Sequence, residues 1–262
     1  MVEIHYHLLY GADDGPATLD DSIALAEASI ADGTTHIVAT PHSNDQYNFD
    51  PAANRSKLDT LQQHFGNRIT LGLGCDFHFS YENITRALDD PKPFTINGGR
   101  YLLIEFADLM IPRNANELLY QLLTKGIFPI ITHPERNPVL VQRPELLKTF
   151  IRTGCLVQVT ASSFTGRFGK TAQKSALEML QKNWINMLAS DAHSLQHRRP
   201  HLAAAHQYIA KAVDNRTADL LCIEVPRAVF DNKPLPRQPL PLDLDEKPVK
   251  KKKNFFGFFS GH

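Results

Sequence analysis

The chain has 262 residues, 42% of them apolar and 21% charged, enough for one large domain with a real hydrophobic core. Lys plus Arg equals Asp plus Glu at 28 each, which excludes a global field directed at nucleic acid. Three cysteines exclude a disulfide scaffold, and no run of about 18 apolar residues supplies a membrane-spanning helix.

Residues 1–10 lack a basic segment and a long apolar run, so no secretory signal is expected and a cytoplasmic location fits. Short apolar runs then alternate with helical patterns. A strand is predicted over 2–7, then a helix over 19–31 with Gly33 just past its end. Strand 36–40 follows, then a weaker helix over 51–65, strand 69–77 and a second weaker helix over 81–89. Strand 101–106 leads to helix 116–125, stopped by Gly126, and strand 128–132 to helix 144–153, opened by a proline and followed by Gly154. Strand 156–160, helix 170–181, strand 185–190 and helix 201–213 complete the series. Strands alternating with helices imply parallel pairing with crossovers. Seven such units suit a closed or nearly closed α/β barrel, with an open doubly wound sheet as the alternative.

The barrel domain is expected to span 1–230. Residues 231–262 hold seven basic and four acidic residues, so this tail is +3 and the remainder −3. Five of the 17 prolines fall there, and the tail is expected to be a disordered linker rather than packed structure. It closes on four consecutive cations, Lys250, Lys251, Lys252 and Lys253, followed by Phe255, Phe256, Phe258 and Phe259. That pairing of charge with apolar rings suits reversible contact with an anionic membrane surface, against the simpler reading of a solvated end.

Twelve histidines are many for this length, and their placement is more telling than their number. His5 and His7 alternate on one strand and so face the same side. Asp13 and Asp14 follow in the next loop, and His42 follows the second strand. Asp76 and Glu105 end the third and fourth strands, His133 follows the fifth, and Asp191 and His193 follow the seventh. Ligand-type residues thus recur at the C-terminal ends of the strands, where α/β barrels build their active sites. Imidazole with carboxylate suits zinc, manganese or iron, and this many groups suits two or three ions. Such centres hydrolyse phosphate esters with metal-bound hydroxide. The remaining histidines are read as structural, with His78 the nearest exception. Cysteine-based phosphatase chemistry is unsupported. Neither Cys75 nor Cys155 has an arginine at the required spacing, and the segment from Cys222 to Arg227 is one residue short and lacks the glycines. No nucleotide-binding glycine loop occurs either.

The motifs Glu3-Ile-His-Tyr-His, Gly-Ala-Asp-Asp-Gly-Pro, Thr-Pro-His, Leu-Ile-Glu-Phe, Thr-His-Pro-Glu-Arg and Ser-Asp-Ala-His resemble the polymerase-and-histidinol-phosphatase (PHP) superfamily. The Asp-Asp-Gly-Pro box and Leu-Ile-Glu-Phe are similar to its bacterial protein-tyrosine phosphatase branch, associated with capsule and exopolysaccharide synthesis. The resemblance spans about residues 3–230 and implies a distorted (β/α)7 barrel with a trinuclear manganese centre. It implies that His5, His7 and Asp191 hold a first metal, Glu105 and His133 a second, and Asp14, His42 and His193 a third. Asp76 falls where the family has an acid bridging the first two, commonly Glu. Arg136 and Arg198 match phosphate-binding arginines, although neighbouring Arg199 could take the second place. The implied substrate is protein phosphotyrosine, carried by a membrane tyrosine autokinase of the polysaccharide export machinery. A small-molecule phosphoesterase such as histidinol-phosphate phosphatase, and an inactive metal-stabilised binding module, are the rival readings.

Overall fold

The computed structural model describes residues 1–245; Lys250–Lys253 and the phenylalanines beyond them lie outside the described residues. Among the described residues there are nine strands: β1 (Val2–Glu3), β2 (His36–Ala39), β3 (His42–Ser43), β4 (Thr70–Leu73), β5 (Asp76–His78), β6 (Tyr101–Glu105), β7 (Phe128–Thr132), β8 (Leu156–Thr160) and β9 (Met187–Ala189). All pairings are parallel, in a three-stranded sheet ordered β1-β2-β4 and a six-stranded sheet ordered β3-β5-β6-β7-β8-β9. β2 with β3, and β4 with β5, are successive parts of the same two lines of chain. The Gly74 amide donates to the Ala39 carbonyl at 2.9 Å and that of Asp76 to Pro41 at 3.1 Å, bridging the two sheets.

The ring closes between the first and last lines. Tyr6 bridges Ala192 in parallel, the His7 amide donates to the Ala192 carbonyl at 2.9 Å, and the Asp191 amide to the His5 carbonyl at 3.1 Å. Seven parallel lines of chain therefore form the α/β barrel that the alternating pattern predicts, not an open sheet. Inside it sit Ile4, Val38, Leu103, Ile130 and Met187, all fully buried. The strands are apolar on both faces because helices cover their outer side.

Local chemistry accounts for the helices. Thr18 caps Leu19–Ala31 in a reciprocal box with Asp21. Asp50 caps Pro51–Phe65 and Ser80 caps Tyr81–Asp89, so the two weakly patterned segments are full helices. Gly154, left-handed at φ 112°, ends Pro144–Thr153.

The structure corrects several expectations. The first strand, expected over 2–7, is regular only at Val2–Glu3, because the chain bends at Ile4–His5 and resumes pairing at Tyr6 with the opposite edge. The strand expected over 69–77 breaks at Gly74–Cys75. A Cβ on Gly74 would lie 3.1 Å from Ile96 and 3.2 Å from Val38, so neighbours close in where the side chain is missing. His42–Ser43 pairs as a strand rather than lying in a loop. Helix Asn215–Asp219, a π turn over Leu220–Glu224 and helix Val225–Phe230 were not anticipated; they pack Leu220, Val225 and Val229 onto the barrel interior.

Residues 231–245 are not an unpacked linker. They form an extended strap across the end of the barrel where the strands begin. Tyr101 Oη donates to the Lys233 carbonyl at 2.6 Å, Trp184 Nε1 to Leu242 at 2.8 Å, and the Leu242 amide to the Lys182 carbonyl at 2.8 Å. Leu235 packs against the interior cluster and Leu244 against the outer one. Prolines keep the strap extended, and its polar backbone groups find partners on the body. Ending the chain at residue 230 should therefore lower the melting temperature by several degrees, through loss of about 2–4 kcal/mol of hydrogen bonding and apolar contact. Ending it at 245 should not. Differential scanning calorimetry of the two truncations checks this, and equal midpoints would restore the linker reading.

Candidate metal centre

The strand ends that carry His, Asp and Glu converge on one point. Four overlapping groups place ligand atoms within 4.8 Å of one another: His7, Asp14, His42 and His193; His5, His7 and Asp76; His5, His133 and Asp191; His42, Asp76 and Glu105. All nine candidate ligands are thus gathered at the C-terminal mouth of the barrel. The partition differs in detail from the implied one. Asp14, His42 and His193 do share a group, but His7 joins it, and His133 groups with Asp191 while standing 3.5 Å from Glu105. Asp76 belongs to two of the groups, 3.4 Å from His5 in one and 3.1 Å from His42 in the other.

Two residues outside the predicted set aim the histidines. Gln158 Oε1 lies 2.9 Å from His5 Nδ1, and Asp13 Oδ2 lies 2.6 Å from His7 Nδ1. Each hydrogen bond leaves the other ring nitrogen directed at the centre, and the two Nε2 atoms stand 3.4 Å apart. Asp13 also accepts from the amides of Gly15 at 2.9 Å and His42 at 3.1 Å, so one carboxylate ties the acidic loop to the second strand line. A glutamine between the two valines of β8 is the available sequence signal for Gln158. Asp13 was visible beside Asp14, and only the fold distinguishes the orienting acid from the inward-facing one. His78 stands 3.9 Å from Glu105, at the margin of the cluster.

Two of the six non-glycine residues with positive φ among the described residues lie at this site. His133 has φ 33° and Asp191 φ 52°, left-handed conformations that side-chain-bearing residues seldom adopt. Glu3, fully buried beneath them, accepts from the Ser190 amide at 2.8 Å and fixes the turn that carries Asp191.

The electrostatics are those of charge held away from water. Burial disfavours charge on His5, yet the Asp76 and Asp191 carboxylates push it up to about 9. His42 is likewise buried, but Asp14 and Asp76 raise it to about 11. His7 falls to about 4 through burial and the neighbouring His193. His133 is depressed by burial and by Arg136. Burial works against ionisation of Asp76 and Asp191, and the cationic His5 outweighs it, holding both below the usual carboxylate range. Burial and the Asp76 charge raise Glu105. Both guanidinium groups reach this cluster. Arg136 Nη1 and Arg198 Nη2 donate to the same oxygen of Asp191, and Arg198 Nη1 lies 3.0 Å from His193 Nε2. It is Arg198 that meets the centre; Arg199 is exposed.

The residues fit divalent metal ions. Both oxygens of buried Asp76, one of Asp191 and His42 Nδ1 have no hydrogen-bond partner. Buried polar atoms are rarely left so, and cations facing them would satisfy all four. The three cysteines, by contrast, are buried and free, and burial raises their thiols far from nucleophilic range.

A family model described as capsular polysaccharide synthesis, CpsB/CapC, matches residues 1–231. The chain belongs to the CpsB/CapC family. It is 34% identical to the tyrosine-protein phosphatase YwqE of Bacillus subtilis, over 99% of this chain and 100% of that protein. It is 28% identical to the tyrosine-protein phosphatase CpsB of Streptococcus pneumoniae, over 88% and 98%. A solved structure from a study of YwqE and CpsB, described as metal-dependent tyrosine phosphatases, superposes with a TM-score of 0.86 at 33% identity, covering 92% of this chain and 98% of that one. The zinc-bound histidinol phosphate phosphatase of Lactococcus lactis shares the fold alone, with a TM-score of 0.54 at 11% identity. The PHP-type fold expected from the motifs is therefore present, and within it this family groups with capsule synthesis.

Metal binding should be coupled to proton release. His5 and His42, raised to about 9 and about 11, carry protons at pH 7 without metal and must lose them to ligate; His7, lowered to about 4, has none to lose. Affinity should therefore rise with pH between 6 and 9. Titration calorimetry with Mn2+ in buffers of different ionisation enthalpy should report about two protons released near pH 7. Buffer-independent heats would contradict this charge assignment.

Proposed function

We infer that the chain is a metal-dependent tyrosine-protein phosphatase of the YwqE/CpsB type. The observation that carries this is the convergence of nine imidazole and carboxylate ligands with two guanidinium groups at one barrel mouth. Bound divalent ions, manganese in this proposal, supply activated water and a Lewis acid for the phosphoryl oxygens. His5, His7 and Asp191, then Glu105 and His133, then Asp14, His42 and His193 would hold two or three such ions, with Asp76 an acid that could serve two of them. Asp13 and Gln158 keep His7 and His5 in the ligating orientation.

Arg136 and Arg198 bind the phosphoryl group. They stand at the rim, part-exposed, on the one carboxylate that both share. Their planar donors match phosphate oxygens in pairs and offset the charge that develops on them in the transition state. A phenol leaving group, with a pKa of about 10, needs less protonation than an alkyl alcohol. This favours phosphotyrosine over phosphoserine at a site whose donors all serve phosphate. Arg136→Ala and Arg198→Ala should each cost about 2–4 kcal/mol in kcat/KM while leaving metal content unchanged. Rates on a phosphotyrosine peptide, a phosphoserine peptide and histidinol phosphate, with Mn2+ and with chelator, test the reading. Preference for histidinol phosphate, or full activity in chelator, would sink it.

The natural substrate in this reading is a membrane tyrosine autokinase of polysaccharide export. No helix among the described residues is long and apolar enough to cross a membrane. The proposed cytoplasmic enzyme would reach such a kinase through Lys250–Lys253 and the phenylalanines that follow. Each Lys near an anionic surface contributes about 1 kcal/mol, inserted rings add apolar burial, and tethering raises effective concentration. The packed strap moves the proposed tail boundary from residue 230 to 245. Full-length protein should therefore sediment with phosphatidylserine vesicles at low salt and be released at high salt. A chain ending at 245 should stay in the supernatant with unchanged activity on a soluble phosphopeptide. Equal partitioning of the two would discard membrane contact.

A further inference from the structure

Beside the metal centre lies a groove of about 380 Å³ that the ligand set does not use. Its walls are largely apolar, with Pro138, Val141, Phe168 and Ala172 beside Thr171, and Glu135, Arg136 and Gln142 complete the lining. Pro138 and Val141 come from the short helix Pro138–Gln142, Thr171 and Ala172 from helix Gly169–Gln181. The Phe168 ring stacks beneath the Arg136 guanidinium, with 4.3 Å from the carbon of that group to the ring centre. The other side of the same guanidinium reaches Asp191 at the metal centre. Arg136 is thus the boundary between a charged mouth and an apolar trough.

We propose that this groove is the aryl subsite, holding the phenol ring of the phosphotyrosine whose phosphate lies on Arg136; this rests on the phosphatase reading above. A phosphate hydrogen-bonded to Arg136 would bring its leaving group close to the Phe168 ring on which the guanidinium stacks. A flat aromatic ring fills a trough with apolar walls, contacts Phe168 by offset or edge packing, and buries surface that a serine phosphate lacks. The side chain of phosphoserine would end at the mouth and leave the trough wet. Phe168 is accordingly a specificity-determining residue, and Val141 forms the facing wall. The groove opens at exposed Pro138, Gln142 and Thr171, which leaves room for the peptide backbone beyond the ring.

The test separates the ring from the phosphate and does not depend on turnover. Benzylphosphonate and methylphosphonate share the same anionic head and differ in the ring. Binding of each to the Mn2+-loaded protein is measured by titration calorimetry. The unsubstituted protein should bind benzylphosphonate about ten- to a hundredfold more tightly than methylphosphonate, the scale expected for burying one phenyl ring. Phe168→Ala, which removes the stacking wall, and Val141→Trp, which fills the trough from the opposite side, should each reduce that ratio at least fivefold. The ratio cancels any shift of Arg136 that alters both ligands alike, and melting curves confirm that both variants fold. A ratio near one in the unsubstituted protein, or a ratio unchanged in both variants, would overturn the subsite. If the variants weaken only longer phosphopeptides and leave benzylphosphonate untouched, the groove holds a flanking residue, and the aryl assignment falls. Hydrolysis of a phosphotyrosine peptide by the unsubstituted protein is scored separately, so loss of the activity reading cannot be mistaken for loss of the groove.

Discussion

Two carboxylates held in the dry barrel interior, Asp76 and Asp191, impose the arrangement of everything at its mouth. Each is almost fully excluded from water, and an unpaired buried anion is too costly to persist. The surrounding residues answer that cost with positive charge. His5 stands 3.4 Å from both acids, His42 takes on a proton, and Arg136 and Arg198 converge on one oxygen of Asp191. Even so, both oxygens of Asp76 lack a hydrogen-bond partner. A centre that attracts this many cationic groups and still leaves acceptors unsatisfied is matched to multivalent cations.

The barrel supplies the preorganisation that such a centre needs. Ligands come from separate strand lines, so their spacing is set by parallel pairing and ring closure rather than by local loop preferences. Closure itself runs through the site, since the contacts that join the first and last lines involve the backbones of His5, His7, Asp191 and Ala192. The left-handed backbone at Asp191 lies within the same contacts. Stability and ligand geometry are therefore tied together on this side of the barrel. At the other end, the strap over 231–245 covers the start of the strands without touching the chemistry.

Arg136 links three features that would otherwise be separate. It pairs with Asp191, lies 3.4 Å from Thr160 Oγ1 at the end of β8, and stacks on Phe168. A guanidinium can do all three because its edge donates hydrogen bonds while its face accepts an aromatic ring. A lysine at this position would keep the charge and lose the division between charged mouth and apolar groove.

Much was legible before any coordinates. The alternation of apolar runs with helical patterns determined the class, and strands such as Phe128–Thr132 and Leu156–Thr160 stand where the pattern puts them. The recurrence of His, Asp and Glu at strand ends is a long-range regularity written in one dimension, and the family resemblance adds the choice of Asp14 over Asp13. Breaks within strands were less legible. The interruptions at Ile4–His5 and Gly74–Cys75 arise from ring closure and close approach, which no local propensity encodes. The terminal strap was misread because proline-rich, low-complexity composition looks the same whether the chain is solvated or laid along a surface that satisfies its backbone. Sequence alone could list candidate ligands, but which of them come within reach of one another, that Gln158 aims His5, and that Phe168 meets Arg136 are distances between residues far apart in the chain. Tertiary structure decided those, because only closure of the barrel sets them.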